Sequence, residues 1–116
     1  MDKISVIIRN RNEEEYIGFA IQSVIDHFKD PEIIIVDNNS TDDSMKVVSL
    51  FDRYNIKEYS VKGNYTPGKA LNFGIKQSNS DIVLVLSAHS QITTLNIEML
   101  NQWFRRGHVA VFGNQT

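Results

Sequence analysis

The sequence predicts an α/β fold: a mostly parallel, doubly wound sheet with helices on both faces. Three observations predict it. Strand-like apolar runs and helix-like stripes alternate along the chain, and that alternation builds parallel sheets through crossover connections. Two runs, Ile33-Ile34-Ile35-Val36 and Ile82-Val83-Leu84-Val85-Leu86, are apolar without a break, as suits strands covered on both faces. Three runs end in polar tips: Arg9 to Asn12, Asp37 to Asn39, and Ser87 to Ser90. Ligands of open parallel sheets bind beyond the carboxyl ends of the strands, so tips on neighbouring strands share one crevice.

Ile4 to Ile8 reads as the first strand. Asn12 is the expected cap of the following helix, with Glu13, Glu14 and Glu15 in its first turn and Glu15 in the capping-box position. Ile17, Ala20, Ile21, Val24, Ile25 and Phe28 recur at helical spacing as one buried stripe. Asp30-Pro31 ends that helix. The second strand, Ile33 to Val36, carries Asp37, Asn38 and Asn39 just past its end. Ser40 and Thr41 read as a hydroxyl cap, with Asp42 and Asp43 facing the positive end of the helix dipole. Met45, Val48 and Phe51 are the inward residues of this second helix.

Ile56 to Val61 is a weaker, loosely alternating strand. Gly63 to Gly68 has two glycines and a proline in six residues and reads as a loop. A third helix is expected from Lys69, then the apolar strand Ile82 to Leu86. Thr93 or Thr94 is the expected cap of a fourth helix with Ile97, Leu100, Trp103 and Phe104 inward. Gly107 suits the position after it, and His108 to Phe112 is the last strand.

With 116 residues, 41% hydrophobic and 22% charged, the chain fits one domain, 1–116, able to bury a core. Lys+Arg of 12 against Asp+Glu of 14 gives a net charge of −2, which argues against a nucleic-acid partner bound by phosphate neutralisation. There is no cysteine, so disulfide and thiol chemistry are excluded. No apolar run approaches the roughly 20 residues of a membrane span. Met1-Asp2-Lys3 leads straight into a strand, so no signal peptide is expected.

Together the tips offer acids, amides, an arginine and an imidazole to one polar, multiply hydrogen-bonding ligand. Taken alone, Asp37 to Asn39 is also compatible with a capped turn, since Asn and Asp are common turn residues. Two motifs compete. Gly63 to Ala70 is one residue from a P-loop, but Ala70 supplies no hydroxyl for magnesium and Pro67 no N–H for phosphate. Asp37 at a strand tip would suit a receiver-type phosphoacceptor, but no Lys follows the last strand to complete such a site.

Four blocks carry a resemblance. They are Ile4 to Arg9 running into Asn12-Glu13-Glu14; Ile35-Val36-Asp37-Asn38-Asn39-Ser40-Thr41-Asp42; Gly68-Lys69-Ala70-Leu71-Asn72-Phe73-Gly74-Ile75; and Asp81 to Leu86. In order and spacing they resemble family 2 glycosyltransferases of the GT-A fold, over nearly the whole chain. The resemblance implies a Rossmann-like, three-layer α/β/α sandwich that binds a nucleotide diphosphate sugar. It implies that Arg9, Asn10, Glu13, Asp37 and Asn38, with neighbouring Asn39, contact the base and ribose. It puts Lys69 and Asn72 near the diphosphate, with Ser87 at the fourth strand tip. An acceptor glycan or lipid-linked glycan, polysaccharide or glycoconjugate synthesis, and a cytoplasmic location at the inner face of a membrane follow as expectations.

Two departures stand out. The family usually ends its fourth strand in Asp-x-Asp, whose carboxylates bind the divalent metal. Here the slot is Ser87-Ala88-His89, which looks like a variant within the family. His89 would then face manganese or magnesium, or hydrogen-bond a phosphate without metal. The family also places its acceptor-activating Asp and a later Gln/Arg/Trp-type motif beyond this point. The expectation is therefore the donor-binding part of a longer enzyme, inactive alone, with a non-catalytic nucleotide-binding relative as the alternative.

Overall fold

Five parallel strands form one sheet in the order β3-β2-β1-β4-β5 in the computed structural model, which describes residues 4–61, 67–80, 82–88 and 109–112. The elements are β1 (Ile4–Asn10), α1 (Ile17–His27), β2 (Glu32–Asn38), α2 (Ser44–Ser49), β3 (Ile56–Val61), α3 (Pro67–Gln77), β4 (Ile82–Ser87) and β5 (Val109–Phe112). The expected parallel sheet is present, and strands and helices alternate as expected as far as β4. The fourth helix, with Thr93, Thr94, Ile97, Leu100, Trp103 and Phe104, lies outside the described residues, as do Gly107 and His108.

The chain starts in the middle of the sheet, steps outward to β2 and β3, then crosses back to β4 on the other side of β1. The sheet order therefore reverses beside β1. In sheets of this kind the crevice for ligands opens at that reversal.

Side chains alternate between the faces along each strand, and two separate cores result. Val6, Ile8, Ile33, Ile35, Leu84 and Leu86 pack under α1 and α2 with Ile17, Ala20, Ile21, Val24 and Val48. Ile7, Ile34, Val36, Val83 and Val85 pack under α3 with Ala70, Phe73 and Ile75. Because β1, β2 and β4 are covered on both faces, their central stretches Val6 to Ile8, Ile33 to Val36 and Ile82 to Leu86 are apolar without a break. Edge strand β3 is half solvated, which explains its looser pattern. Its Tyr59 stacks edge-on against Phe73 of α3 at 5.1 Å between ring centroids.

Two glycines permit the helices to approach closely. A Cβ on Gly74 would lie 2.7 to 2.9 Å from three side-chain atoms of buried Ile7, so α3 seats on β1 through a bare backbone. A Cβ on Gly18 would meet Val47 at 3.2 Å, where α1 and α2 converge.

The amino-terminal edge of the sheet closes on Glu32, which is 1% exposed. Its Oε1 accepts from Ser5 Oγ at 2.6 Å and from the Asn79 N–H at 3.0 Å. Its Oε2 accepts from Lys57 Nζ at 2.7 Å and from Asn79 Nδ2 at 3.2 Å. Burial alone would raise this carboxyl's pKa, but the bonds from Lys57, Ser5 and Asn79 outweigh it and hold the pKa at about 2.

Several element boundaries differ from the sequence reading. Helix α1 begins at Ile17 and α2 at Ser44, and neither has a side-chain bond from its cap residue. Asn12 and Ser40 bond the facing loop instead, and Asp42 accepts both the Ser44 N–H of α2 and the distant Glu14 N–H. Asp37 and Asn38 are not beyond β2 but within it, paired to Ser60 and Val61 of β3. Pro67 and Gly68 belong to α3 rather than to a loop. A proline suits a first helical turn because its missing N–H would be unbonded there anyway.

Candidate functional site

The carboxyl ends of β1, β2 and β4 meet at one edge, as the tip argument required. Asn10 stands opposite Asp37, and Arg9 lies between Val36 and Ser87. The Ala88 N–H donates to the Arg9 carbonyl at 3.0 Å and carries the β1–β4 pairing one residue past the strand.

Alternation divides the expected site residues between the two faces. Asn10 and Asp37 continue the rows under α1 and α2. Arg9, Asn38 and Ser87 continue the rows under α3. Lys69 and Asn72 lie in the first two turns of α3, both exposed, and the course from β3 to β4 puts the start of that helix at the same edge. Glu13 is half-buried in the turn before α1, and Asn39 is exposed at the β2 tip. His89 lies outside the described residues.

Asp37 is 4% exposed and Asn10 2% exposed. Asn10 Nδ2 donates to Asp37 Oδ1 at 2.8 Å and to Ser40 Oγ at 3.2 Å. The Ser40 hydroxyl donates to Asp37 Oδ1 at 2.6 Å, and the Ser40 N–H donates to Oδ2 at 3.1 Å. Asp37 is therefore fixed from three directions. Asn10 Oδ1 is buried and has no hydrogen-bond partner among the described residues.

Around this centre the β1 and β2 loops are bonded to each other, and Asp42 alone also holds the start of its own helix. Asn12 Oδ1 accepts the N–H groups of Thr41 at 2.7 Å and Asp42 at 3.2 Å. In return, Ser40 Oγ accepts the Asn12 N–H at 2.9 Å. Ser44 Oγ accepts the Glu13 N–H at 3.0 Å, and Asp42 Oδ2 accepts the Glu14 N–H at 3.1 Å. Ser44 also donates its N–H and its hydroxyl to Asp42 Oδ1. Burial acts to raise the Asp42 pKa, but the bonds from Ser44 and Glu14 lower it overall. Asn12 and Asn39 hold positive φ angles of 52° and 53°, a conformation that Asn tolerates better than most residues.

Sequence reasoning missed Ser40, Asp42 and Ser44 as parts of this framework and misassigned Asn12. The available signal was the density of short polar side chains after both β1 and β2. Such residues bond backbone N–H groups wherever these come within reach.

No group of three or more His, Cys, Asp or Glu gathers among the described residues in a way that could hold a metal. These residues do not by themselves make a metal centre. No helix among the described residues is long and apolar enough to cross a membrane. A cavity of about 580 Å³ lies at the amino-terminal edge, lined by Ile25, Phe28, Lys29, Pro31, Arg53 and Tyr54 among others, and includes none of the tip residues. The clustered polar chemistry, and not this cavity, marks the candidate site.

The model of the family described as Glycosyl transferase family 2 matches residues 5–116. The chain is 32% identical over 118 residues to the GalNAc(5)-diNAcBac-PP-undecaprenol beta-1,3-glucosyltransferase of Campylobacter jejuni, covering 98% of this chain and 38% of that protein. Among solved structures it is similar to Staphylococcus aureus TarS in complex with UDP, at 28% identity and a TM-score of 0.74, covering 86% of this chain and 32% of that one. It is also similar to glucosyl-3-phosphoglycerate synthase from Mycobacterium tuberculosis, solved with Mn2+, UDP and phosphoglyceric acid. That match has 25% identity and a TM-score of 0.58, covering 78% of this chain and 35% of the other. The chain thus spans about a third of the length of these relatives.

Proposed function

Because this chain belongs to glycosyltransferase family 2, we propose that it is the donor-binding part of an enzyme that moves a sugar from a nucleoside diphosphate to an acceptor hydroxyl. The observation that carries this reading is the Asn10–Asp37–Ser40 cluster, fixed at the strand-order reversal beside the start of α3. A flat base and its ribose hydroxyls fit a rigid set of acceptors at a sheet edge. A diphosphate fits the start of a helix, where backbone N–H groups and Lys69 favour negative charge.

The proposed division of roles follows the two faces. Asn10, Asp37 and Glu13 hold the nucleoside on the α1/α2 side. Arg9, Asn38, Ser87, Lys69 and Asn72 line the α3 side toward the diphosphate. Asn39 closes the tip between them. The acceptor is a glycan or a lipid-linked glycan, in keeping with the undecaprenol-linked substrate in the Campylobacter relative's name. Synthesis of a cell-surface polysaccharide or glycoconjugate at the cytoplasmic face of a membrane is the matching setting. A divalent cation is proposed as cofactor from the Mn2+ in the mycobacterial structure. His89 remains its candidate protein ligand from the sequence alone, and no step is assigned to it.

Titration of the protein with UDP, followed by NMR amide signals with and without manganese, tests the reading. Signals of Arg9 to Glu13 and Asp37 to Asn39 should move together. Shifts confined to Gly63–Ala70 would favour a P-loop instead, and no shift at all would leave a scaffold without a ligand.

A further inference from the structure

We propose that the cavity at the amino-terminal edge of the sheet is a second ligand site, built for a small aromatic molecule that carries one anionic group. It goes beyond the donor-binding reading and does not depend on it. β2 is seven residues long, so at about 3.3 Å per residue its ends lie roughly 20 Å apart. The cavity takes in Ile33 at the start of that strand and none of the polar residues at its end. A ligand here and a nucleotide at the carboxyl edge could therefore be bound together.

Burial sorts the lining into a floor and a rim. Ile33 is 0% exposed, Pro31 is buried, and Ile25 and Phe28 are half-buried beside them. Lys29, Asp30, Arg53 and Asn55 are exposed, and Tyr54 keeps 39% of its surface open. An apolar floor under a polar rim is the usual plan of a small-molecule pocket. The volume of about 580 Å³ falls within the roughly 300–1,000 Å³ of such pockets. Phe28 and Tyr54 put two aromatic rings among the lining, which suits a ring stacked offset or edge-on.

The charge of the rim selects an anion. Neither Lys29 nor Arg53 has an ion-pair partner among the described residues. Asp30 is the one acid among the lining residues, so two cations stand against a single carboxylate. The chain as a whole is negative, at −2, which makes a local positive excess over an apolar floor the more telling. A guanidinium can take a carboxylate or a phosphate through two parallel N–H bonds, and a nearby ammonium adds a second charge.

Both walls are set before any ligand arrives. On one side the Phe28 N–H donates to the Val24 carbonyl at 3.1 Å, Asp30 turns the chain with a φ of 49°, and Pro31 fixes the entry to β2. On the other side the Tyr54 N–H donates to the Phe51 carbonyl at 3.1 Å, and the Ile56 N–H to the Tyr54 carbonyl at 2.9 Å. The Ile33 N–H donates to the Asn55 carbonyl at 2.9 Å and ties the two walls together. A preformed pocket loses little binding energy to ordering the protein.

The probes are phenylpropionate, phenyl phosphate, neutral phenylpropanol and inorganic phosphate, each titrated into the full chain and followed by NMR amide signals. Signals of Ile25 to Asp30 and of Arg53 to Asn55 should move with the aromatic anions, and those of Asp37 to Asn39 should stay still with phenylpropionate. Phenylpropionate should bind about tenfold tighter than phenylpropanol, the scale of one charge-assisted hydrogen bond at an exposed rim. Inorganic phosphate should bind at least about tenfold weaker than phenyl phosphate, because it has no ring to bury. Whichever aromatic anion binds tighter identifies the charged group. Lys29→Gln combined with Arg53→Gln alters exposed positions at little cost to the fold, and should bring the ratio of phenylpropionate to phenylpropanol affinity toward one. Equal binding of anion and alcohol, inorganic phosphate as tight as phenyl phosphate, an unchanged ratio in the double variant, or no shift at Ile25 to Asp30 would each overturn the proposal. None of these results bears on the UDP titration, so the donor-binding reading stands or falls separately.

Discussion

Acid should unlock the amino-terminal edge of the sheet through Glu32. The folded state holds this carboxyl at about 2 against an ordinary 4.5, so the folded protein takes up the proton less readily than the unfolded chain. The resulting stability is fully present above pH 4.5 and is lost as the pH falls through about 2. At roughly 1.4 kcal/mol per tenfold change in proton affinity, the displacement corresponds to about 3 kcal/mol. Lys57 keeps 38% of its side chain exposed, and solvent screening on that side reduces the figure to about 2 kcal/mol. Urea unfolding of wild type and Glu32→Gln at pH 7, 4.5, 3 and 2 reads the effect directly. Glutamine keeps the shape and can still accept bonds from Ser5 or Asn79, but it leaves Lys57 without its anion. The variant should be less stable by about 2 kcal/mol at pH 7, and the gap should close toward pH 2. A gap that stays constant with pH would refute the charge argument and leave only packing.

The remaining expectations concern the helix seat and the tip. Gly74→Ala should destabilise by about 1–3 kcal/mol, because the new methyl meets the buried Ile7 side chain and α3 must lift; a neutral or raised melting temperature would show that Ile7 has room to move. Ser44→Ala should speed hydrogen exchange at the Glu13 amide, which loses its acceptor, at a stability cost of about 1–2 kcal/mol; unchanged exchange would mean that the two loops are not held by this bond. Asp37→Ala should weaken UDP binding by about 1–3 kcal/mol in calorimetry, with wild-type affinity contradicting its place in the donor site.

The central strands were legible because a strand covered on both faces must be apolar at every position, and few other elements write that pattern. The candidate site was legible for the same reason: Asp37 stands out where an unbroken β-branched run turns polar. The helix starts were not legible. Asn12 and Ser40 have the chemistry and spacing of caps, and Asp42 has those of a first-turn acid. Each also accepts from an N–H group about thirty residues away in the chain, a proximity that exists only once β1 and β2 lie side by side. Glu32 was hidden too. A charged residue ahead of an apolar run looks like a solvated flank, and nothing local indicates that Ser5, Lys57 and Asn79 converge on it. The division of site residues between faces was latent in the period of two. It became readable only once Asp37 and Asn38 proved to lie inside β2, with their side chains on opposite faces.

The two rims of this sheet are fastened by unrelated chemistry: a salt-linked carboxylate at one, a mesh of short polar side chains at the other. Substitutions at sites that share no partner tend to add rather than interact. The exposed positions of the carboxyl-end rim, Arg11 and Asn39 among them, are therefore open to mutational drift without loosening the anchor at Glu32. A lineage, or a directed-evolution library, could vary the exposed tip residues on this scaffold while the far rim keeps the fold above its melting threshold. Asn10 is the exception. It is buried in the mesh and bonded to both Asp37 and Ser40, so there a change at the rim and a change of stability should be inherited together.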